Sequence, residues 1–181
     1  MISEQSSVSL RPLTEDDITD AYLGWFRDED VTRFLEARNI TREDAVSHLR
    51  SGAETNAWHI YAICTGDGMS HVGNLKIGPI HWKHRTSDMV TVIGDRAAWG
   101  KGFARDAIRQ GIGLAFGKYA LRKLSASIDS SNLGSIKAYT AAGFEIETVL
   151  KDQFMSEGPD GITLSDKVYV ACFNPNFSAG A

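Results

Sequence analysis

The sequence predicts an α/β (α+β) fold with a mixed, largely antiparallel sheet, and three observations predict it. Two apolar runs, residues 58–64 and 71–77, are separated by the turn-forming Thr65, Gly66, Asp67 and Gly68, which reads as a hairpin. A run over residues 89–93 leads through a glycine loop into a long helical pattern and then a further strand, a β-α-β unit whose strands are parallel. Two terminal runs, residues 144–150 and 162–173, are joined by a loop rich in Gly, Pro and Asp and complete the strands.

The elements follow in order. Residues 8–13 alternate as an edge strand that ends at Pro12. Thr14 then caps an acidic helix start at Glu15, Asp16 and Asp17, and this first helix is expected to run to Arg27. Residues 30–38 form an irregular or short helical connection. Thr41 and Asp44, three apart, make a capping-box-like pair ahead of a second helix that carries Ala45, Val46 and Leu49 on one face. After the hairpin and the 89–93 strand, a helix opens at Phe103 with Ala104, Ala107, Ile108, Ile112 and Ala115 along its apolar stripe and ends near Tyr119. Residues 124–128 are the next strand, and residues 133–142 a short helix capped by Gly143.

Composition narrows the class. A chain of 181 residues that is 43% hydrophobic can bury one substantial core, so a single domain over residues 8–173 with short termini, 1–7 and 174–181, is expected. No apolar run approaches the ~20 residues of a membrane-spanning helix. A net charge of −4 argues against nucleic acid as a partner. Cys64 and Cys172 sit in apolar runs without metal-ligand spacing and read as reduced core thiols, and the polar start of the chain carries no export signal, so a cytoplasmic location is expected.

The chemistry concentrates in Trp99-Gly100-Lys101-Gly102-Phe103-Ala104. Two glycines let the backbone turn sharply and approach a ligand, and the helix beginning at Phe103 aims unpaired N–H groups and its positive dipole end at the same place. A Walker loop is excluded because no Gly-Lys-Ser/Thr follows at the required spacing. A dinucleotide fingerprint is excluded because Arg105 stands where it needs its third Gly. What remains is a pyrophosphate cradle.

This loop, followed by Asn132-Leu133-Gly134-Ser135-Ile136-Lys137-Ala138-Tyr139 and then Ala142-Gly143-Phe144, resembles the GNAT superfamily of acetyl-CoA-dependent N-acetyltransferases. The resemblance implies a central sheet with splayed middle strands. It implies that Val92, Ile93 and Gly94 lie beside the acetyl-pantetheine arm. Residues Gly100, Lys101, Gly102, Phe103, Ala104 and Arg105 would offer amides to the pyrophosphate. Asn132, with Ser135 beside it, would contact the pantetheine or acetyl region. Tyr139, seven residues after Asn132 on one helix face, would be the general acid to the leaving thiolate; its other reading is a half-buried core aromatic.

Two departures from the family pattern stand out. Trp99 replaces the common Gln or Arg at the loop's start and is expected to pack beneath it. Ser127 stands where a Glu base is often found and cannot accept a proton efficiently. Asp129 on the same strand face is then a catalytic candidate, with a turn or cap role as its other reading; Glu36 and His81 are further possibilities.

For the acceptor, the segment around Trp25, Arg33, Phe34 and Glu36 resembles the Rim-type branch, which acetylates protein N-termini, and its relatives acting on nucleotide-linked amino sugars. That implies an acceptor wall, although Trp25 and Phe34 read equally as helix core. His81 and Trp82 precede the 89–93 strand, where they could meet a sugar or nucleotide, and no metal site is expected from His81 and His84. The expected activity is direct acetyl transfer from acetyl-CoA to a small-molecule or peptide amine, with no membrane partner and a homodimer allowed. A CoA-binding module without chemistry is the competing class.

Overall fold

The computed structural model describes residues 7–66, 70–158 and 161–178. The turn residues Asp67 and Gly68, Pro159 and Asp160 of the last loop, and residues 1–6 and 179–181 of the termini lie outside the described residues. Strands β1 (Val8–Pro12), β2 (His59–Thr65), β3 (Ser70–His81), β4 (Thr86–Ile93), β5 (Lys123–Asp129), β6 (Glu145–Gly158) and β7 (Gly161–Phe173) form one sheet in the order β1-β2-β3-β4-β5-β7-β6. Every neighbouring pair is antiparallel except β4 with β5, so the mixed, mostly antiparallel sheet is as expected.

The helices follow from their caps. Thr14 and Asp17 form a capping box around a single 3-10 turn, and Arg11 clamps Asp17 through two bonds of 2.7 and 2.6 Å. A second cap at Thr19 then starts α1 (Asp20–Trp25), so the helix expected from Thr14 to Arg27 is two pieces: local hydroxyl and carboxylate bonds outcompete its continuation. Asp28 caps α2 (Glu29–Thr32), and the Thr41–Asp44 box starts α3 (Arg42–Thr55) as read from the sequence. Helix α4 (Phe103–Gly113) passes into a π-turn over Leu114–Lys118, and α5 (Leu133–Ala142) ends at Gly143.

Two cores sit on opposite faces of the sheet. On one, α4 and α5 bring Ala107, Ile108 and Tyr139 onto Leu75, Ile77, Met89, Leu124, Ala126 and Val170. On the other, α1 and α3 bring Tyr22, Leu23 and Ala45 onto Ala62 and Cys64 of β2, with Ile18 between them. Helices thus cover the second face only over the first strands. Val90, in the middle of the sheet, is 44% exposed there. That uncovered floor borders the site.

Candidate active site

Pairing between β4 and β5 covers only Thr86 with Lys123, Ser87 with Leu124 and Asp88 with Ser125. From Met89 onward neither strand is the other's partner, which opens a cleft within a continuous sheet. In an antiparallel ladder, alternate residues turn both main-chain groups to the same neighbour. Gly94 N–H donates to Val72 C=O at 2.9 Å, and the β3–β4 register from Gly73 with Ile93 to Ile77 with Met89 is unbroken. Val90, Val92 and Gly94 therefore face β3 with their main chain, and Met89, Thr91 and Ile93 face the cleft. Of the three residues expected beside the pantetheine arm, only Ile93 presents its peptide groups there. The peptide groups of Val92 and the N–H of Gly94 are used by the ladder.

Two aromatic side chains confirm this alternation. Tyr139, 3% exposed on α5, donates its hydroxyl to Met89 C=O at 2.8 Å and lies 3.4 Å from Thr91 Oγ1. Burial pushes the Tyr139 hydroxyl well above the usual phenol range, and the Thr91 hydroxyl only partly opposes this. Tyr139 is a core residue whose ring packs edge-on against Phe144 at 5.0 Å while its oxygen reaches the cleft edge at Met89 C=O. At the far end, Trp99 Nε1–H donates to Ile93 C=O at 2.8 Å. Trp99 does not pack beneath the loop as expected; it is 43% exposed, with the Arg96 guanidinium over its ring at 5.7 Å, because its N–H is drawn to the strand end.

The glycine loop has the conformation its composition demands. Gly100 and Gly102 take φ of 72° and 81°, the left-handed region that glycine enters without penalty. Among the described residues nothing accepts from the amides of Gly100, Lys101 or Gly102. Phe103 and Ala104 follow in the first turn of α4, where N–H groups lack intrahelical acceptors. Arg105 lies against Asp106, whose Oδ1 accepts from Arg105 Nε at 2.9 Å and whose Oδ2 accepts from the Ser7 hydroxyl at 2.7 Å. Burial raises the Asp106 carboxyl, but the Ser7 and Arg105 bonds outweigh it and hold the group ionised.

Asn132 caps α5: its Oδ1 accepts from Ser135 N–H at 3.1 Å, so that Ser135 amide is committed to the cap. Asp129 ends β5. Its Oδ1 accepts from the amide and hydroxyl of Ser131 at 2.8 and 2.7 Å, and its Oδ2 from the Ser165 hydroxyl at 2.8 Å. Burial raises this carboxyl, but those donors bring it below the ordinary carboxylate range. It is a turn carboxylate reluctant to take a proton. Ser127, facing the same side of β5, is exposed.

The mouth of the cleft is walled by the first helices. Trp25 packs tilted against Tyr22 at 5.5 Å and edge-on against His71 at 5.0 Å, and it sits so close to the end of β4 that a Cβ on Gly94 would lie 2.1 Å from its ring. Arg96, just after β4, pairs with Asp30 at 2.7 Å and Asp28 at 3.7 Å, while Arg33 lowers the Asp129 carboxyl at the end of β5. The α2 segment thus spans both strand ends. Phe34, 38% exposed beneath the Arg33 guanidinium at 5.2 Å, and exposed Glu36 continue it.

His81 and Trp82 do not belong to this wall. His81 pairs with Thr86 at the start of β4, the end where β4 and β5 are joined, and the Trp82 indole donates to Asn56 C=O at 2.8 Å. The hairpin carries both about 20 Å along the strand from Val92. Residues that sequence reasoning passed over include Thr91 and Met89, which border the cleft through main chain. They also include Asn74, which faces Val92 across the ladder, bonds His71 Nε2 at 3.0 Å and opposes the burial that raises Tyr22. Only the polar Asn74 inside an apolar run was a visible signal.

A family model described as an acetyltransferase (GNAT) domain matches residues 7–145. The chain belongs to the GNAT acetyltransferase family. It is similar to the uncharacterized N-acetyltransferase p20 of Bacillus licheniformis, 22% identical over 155 residues, covering 83% of this chain and 86% of that protein. It is also similar to the uncharacterized N-acetyltransferase YoaA of Bacillus subtilis (strain 168), 24% identical over 162 residues, covering 87% and 90%. In fold it resembles the spermidine N-acetyltransferase of Vibrio cholerae solved with CoA and spermine, with a TM-score of 0.80, 18% identity and 93% and 96% of the two chains covered. A GNAT-family acetyltransferase from Bacillus anthracis aligns with a TM-score of 0.74 at 17% identity, over 92% and 95%. This GNAT chain is an acyl-CoA-dependent acetyltransferase, and no helix among its described residues is long and apolar enough to cross a membrane.

Proposed function

We propose that this GNAT enzyme moves the acetyl group of acetyl-CoA directly to the primary amine of a small cationic molecule. The observation that carries the reading is the open edge of β4 beside a buried tyrosine hydroxyl, together with three unclaimed loop amides. Such donors suit an arm with amide groups that ends in a diphosphate. Acetyl-CoA supplies an acyl thioester. The amides of Gly100, Lys101 and Gly102 and the first turn of α4 would hold its phosphates, and the Thr91 carbonyl would hydrogen-bond its arm.

The residues then do three things. Ile93 offers its N–H toward the acyl donor in the cleft. Tyr139 would turn its single O–H from Met89 C=O to the departing sulfur. Its raised pKa lies above a thiol's ~8.5, so it stabilises the thiolate by hydrogen bonding better than by complete proton transfer. Asp129 is saturated with donors and unsuited to be the base; the amine arrives neutral and loses its second proton to water. The Rim-type assignment, with a protein N-terminus as acceptor, gives way to a small amine. The structural neighbours described as spermidine acetyltransferases support this, as do the acids Asp28, Glu29, Asp30 and Glu36 on the segment bordering the mouth.

Release of free thiol from acetyl-CoA tests this across spermidine, spermine, a nucleotide-linked amino sugar and a peptide with a free N-terminus. Turnover with the di- and polyamines is expected. Turnover with the peptide alone overturns the acceptor class, and CoA binding without turnover of any amine overturns the enzymatic reading.

A further inference from the structure

The cleft edge of β4 presents three residues by main chain, and two of their carbonyls are already taken. Met89 C=O accepts from Tyr139 and Ile93 C=O from the Trp99 indole, both at 2.8 Å. Between them, the Thr91 C=O is the carbonyl left to the cleft, while the Thr91 N–H donates to the Tyr139 oxygen. Peptide pairing along a strand repeats every two residues, so an arm carrying amide groups has three registers to choose from on a bare edge. Here the flanking carbonyls are blocked. We infer that Trp99 is a register pin: by occupying Ile93 C=O it obliges the arm of the acyl donor to pair at Thr91, which fixes where the thioester stops. This rests on the reading that the cleft receives acetyl-CoA.

The position makes the role specific to Trp99. It is the first residue of the phosphate loop, so the group that sets the arm's register also sets where the loop begins. A Gln or Arg in its place would bring other donors on a flexible stem, whereas the indole has one N–H on a rigid ring. The ring is steadied from outside by Arg96, itself held by Asp30. A slip by one register would move the thioester about 6.8 Å along β4, away from the Tyr139 hydroxyl. The slipped complex would bind and fail to react. Trp99 is therefore a positioning residue, and its signature is a loss of turnover without a loss of affinity.

Trp99→Phe keeps a ring and removes the donor; Trp99→Gln keeps a donor and removes the ring. For Trp99→Phe, calorimetry should give a CoA affinity within about twofold of the parent, while kcat falls about tenfold or more, as misplacement of a reacting group does. Trp99→Gln should retain more turnover than Trp99→Phe. In the unaltered protein, the indole N–H resonance missing from the Trp99→Phe spectrum should stay hydrogen-bonded and slow to exchange when CoA saturates the site. Three outcomes overturn the inference: a kcat for Trp99→Phe equal to the parent's, a fall in affinity that matches the fall in kcat, or release of the indole N–H on binding CoA. If the unaltered protein does not bind CoA at all, the cofactor reading itself has failed, which is a separate result.

Discussion

Removing a single oxygen, Tyr139→Phe, separates the structural from the catalytic part of the cleft. The ring stays, with its edge-on contact to Phe144, but Met89 C=O loses its donor. Met89 is 1% exposed, so the carbonyl is not fully compensated by water, and the cost is about 1 kcal/mol. In a domain of this size that is a fall in Tm of about 3 °C. The effect on turnover should be far larger, because the O–H proposed to turn from Met89 C=O to the sulfur is gone: about 100-fold in kcat, with KM for acetyl-CoA nearly unchanged. Since the hydroxyl stays protonated well above neutral pH, the loss should be the same at every pH where the enzyme is folded. Stopped thiol-release kinetics and a melting curve on the same sample decide it. A kcat within twofold of the parent would refute the assignment, and a Tm loss without a rate loss would leave Tyr139 a core residue.

Further outcomes are expected elsewhere. Gly102→Val places a branched side chain at φ 81°, where the only nearby atom is Arg105 Nη2 at 3.9 Å from the new Cβ; strain of about 1–3 kcal/mol and a Cβ in the cradle should weaken CoA binding at least tenfold by calorimetry. Gly94→Ala drives a methyl into the Trp25 ring, so the acceptor's KM should rise while CoA affinity holds. With no internal base, kcat/KM should climb with pH up to the acceptor amine's own pKa; a flat profile would reveal a base. His48 and His59 are both lowered from 6.5, first by burial and then by Lys76 and Lys118 respectively, so the folded state disfavours their protonation. Stability should thus be complete above about pH 6.5 and decline as pH falls below it, which urea midpoints at about pH 7.5 and about pH 5.5 will show.

Much of the fold was legible because local chemistry and tertiary placement agree. The Thr41–Asp44 box, the Gly143 stop, the apolar run of β2 and the alternating burial of β5 each say one thing at both levels. The first helix misled because Thr14 is a true cap, but of one turn only; the competing cap at Thr19 and the clamp from Arg11 are contacts no periodicity displays. In the site, the glycine loop and the Asn132-to-Tyr139 spacing could be read, since each is local. Val92 and Gly94 could not be told from Thr91 and Ile93, because which peptide faces the cleft depends on the register with β3. His81 and Trp82 looked near the site in sequence and lie at the wrong end of a hairpin that runs away from it.

The central claim is that Gly100, Lys101, Gly102 and Thr91 receive one ligand, and amide NMR during a titration with CoA tests it most directly. Resonances of these four residues, with Ile93 and the Trp99 indole close behind, should shift together along one binding curve. Saturation that leaves the Thr91 and Gly102 amides where they were, or no saturation at any CoA concentration, would contradict it.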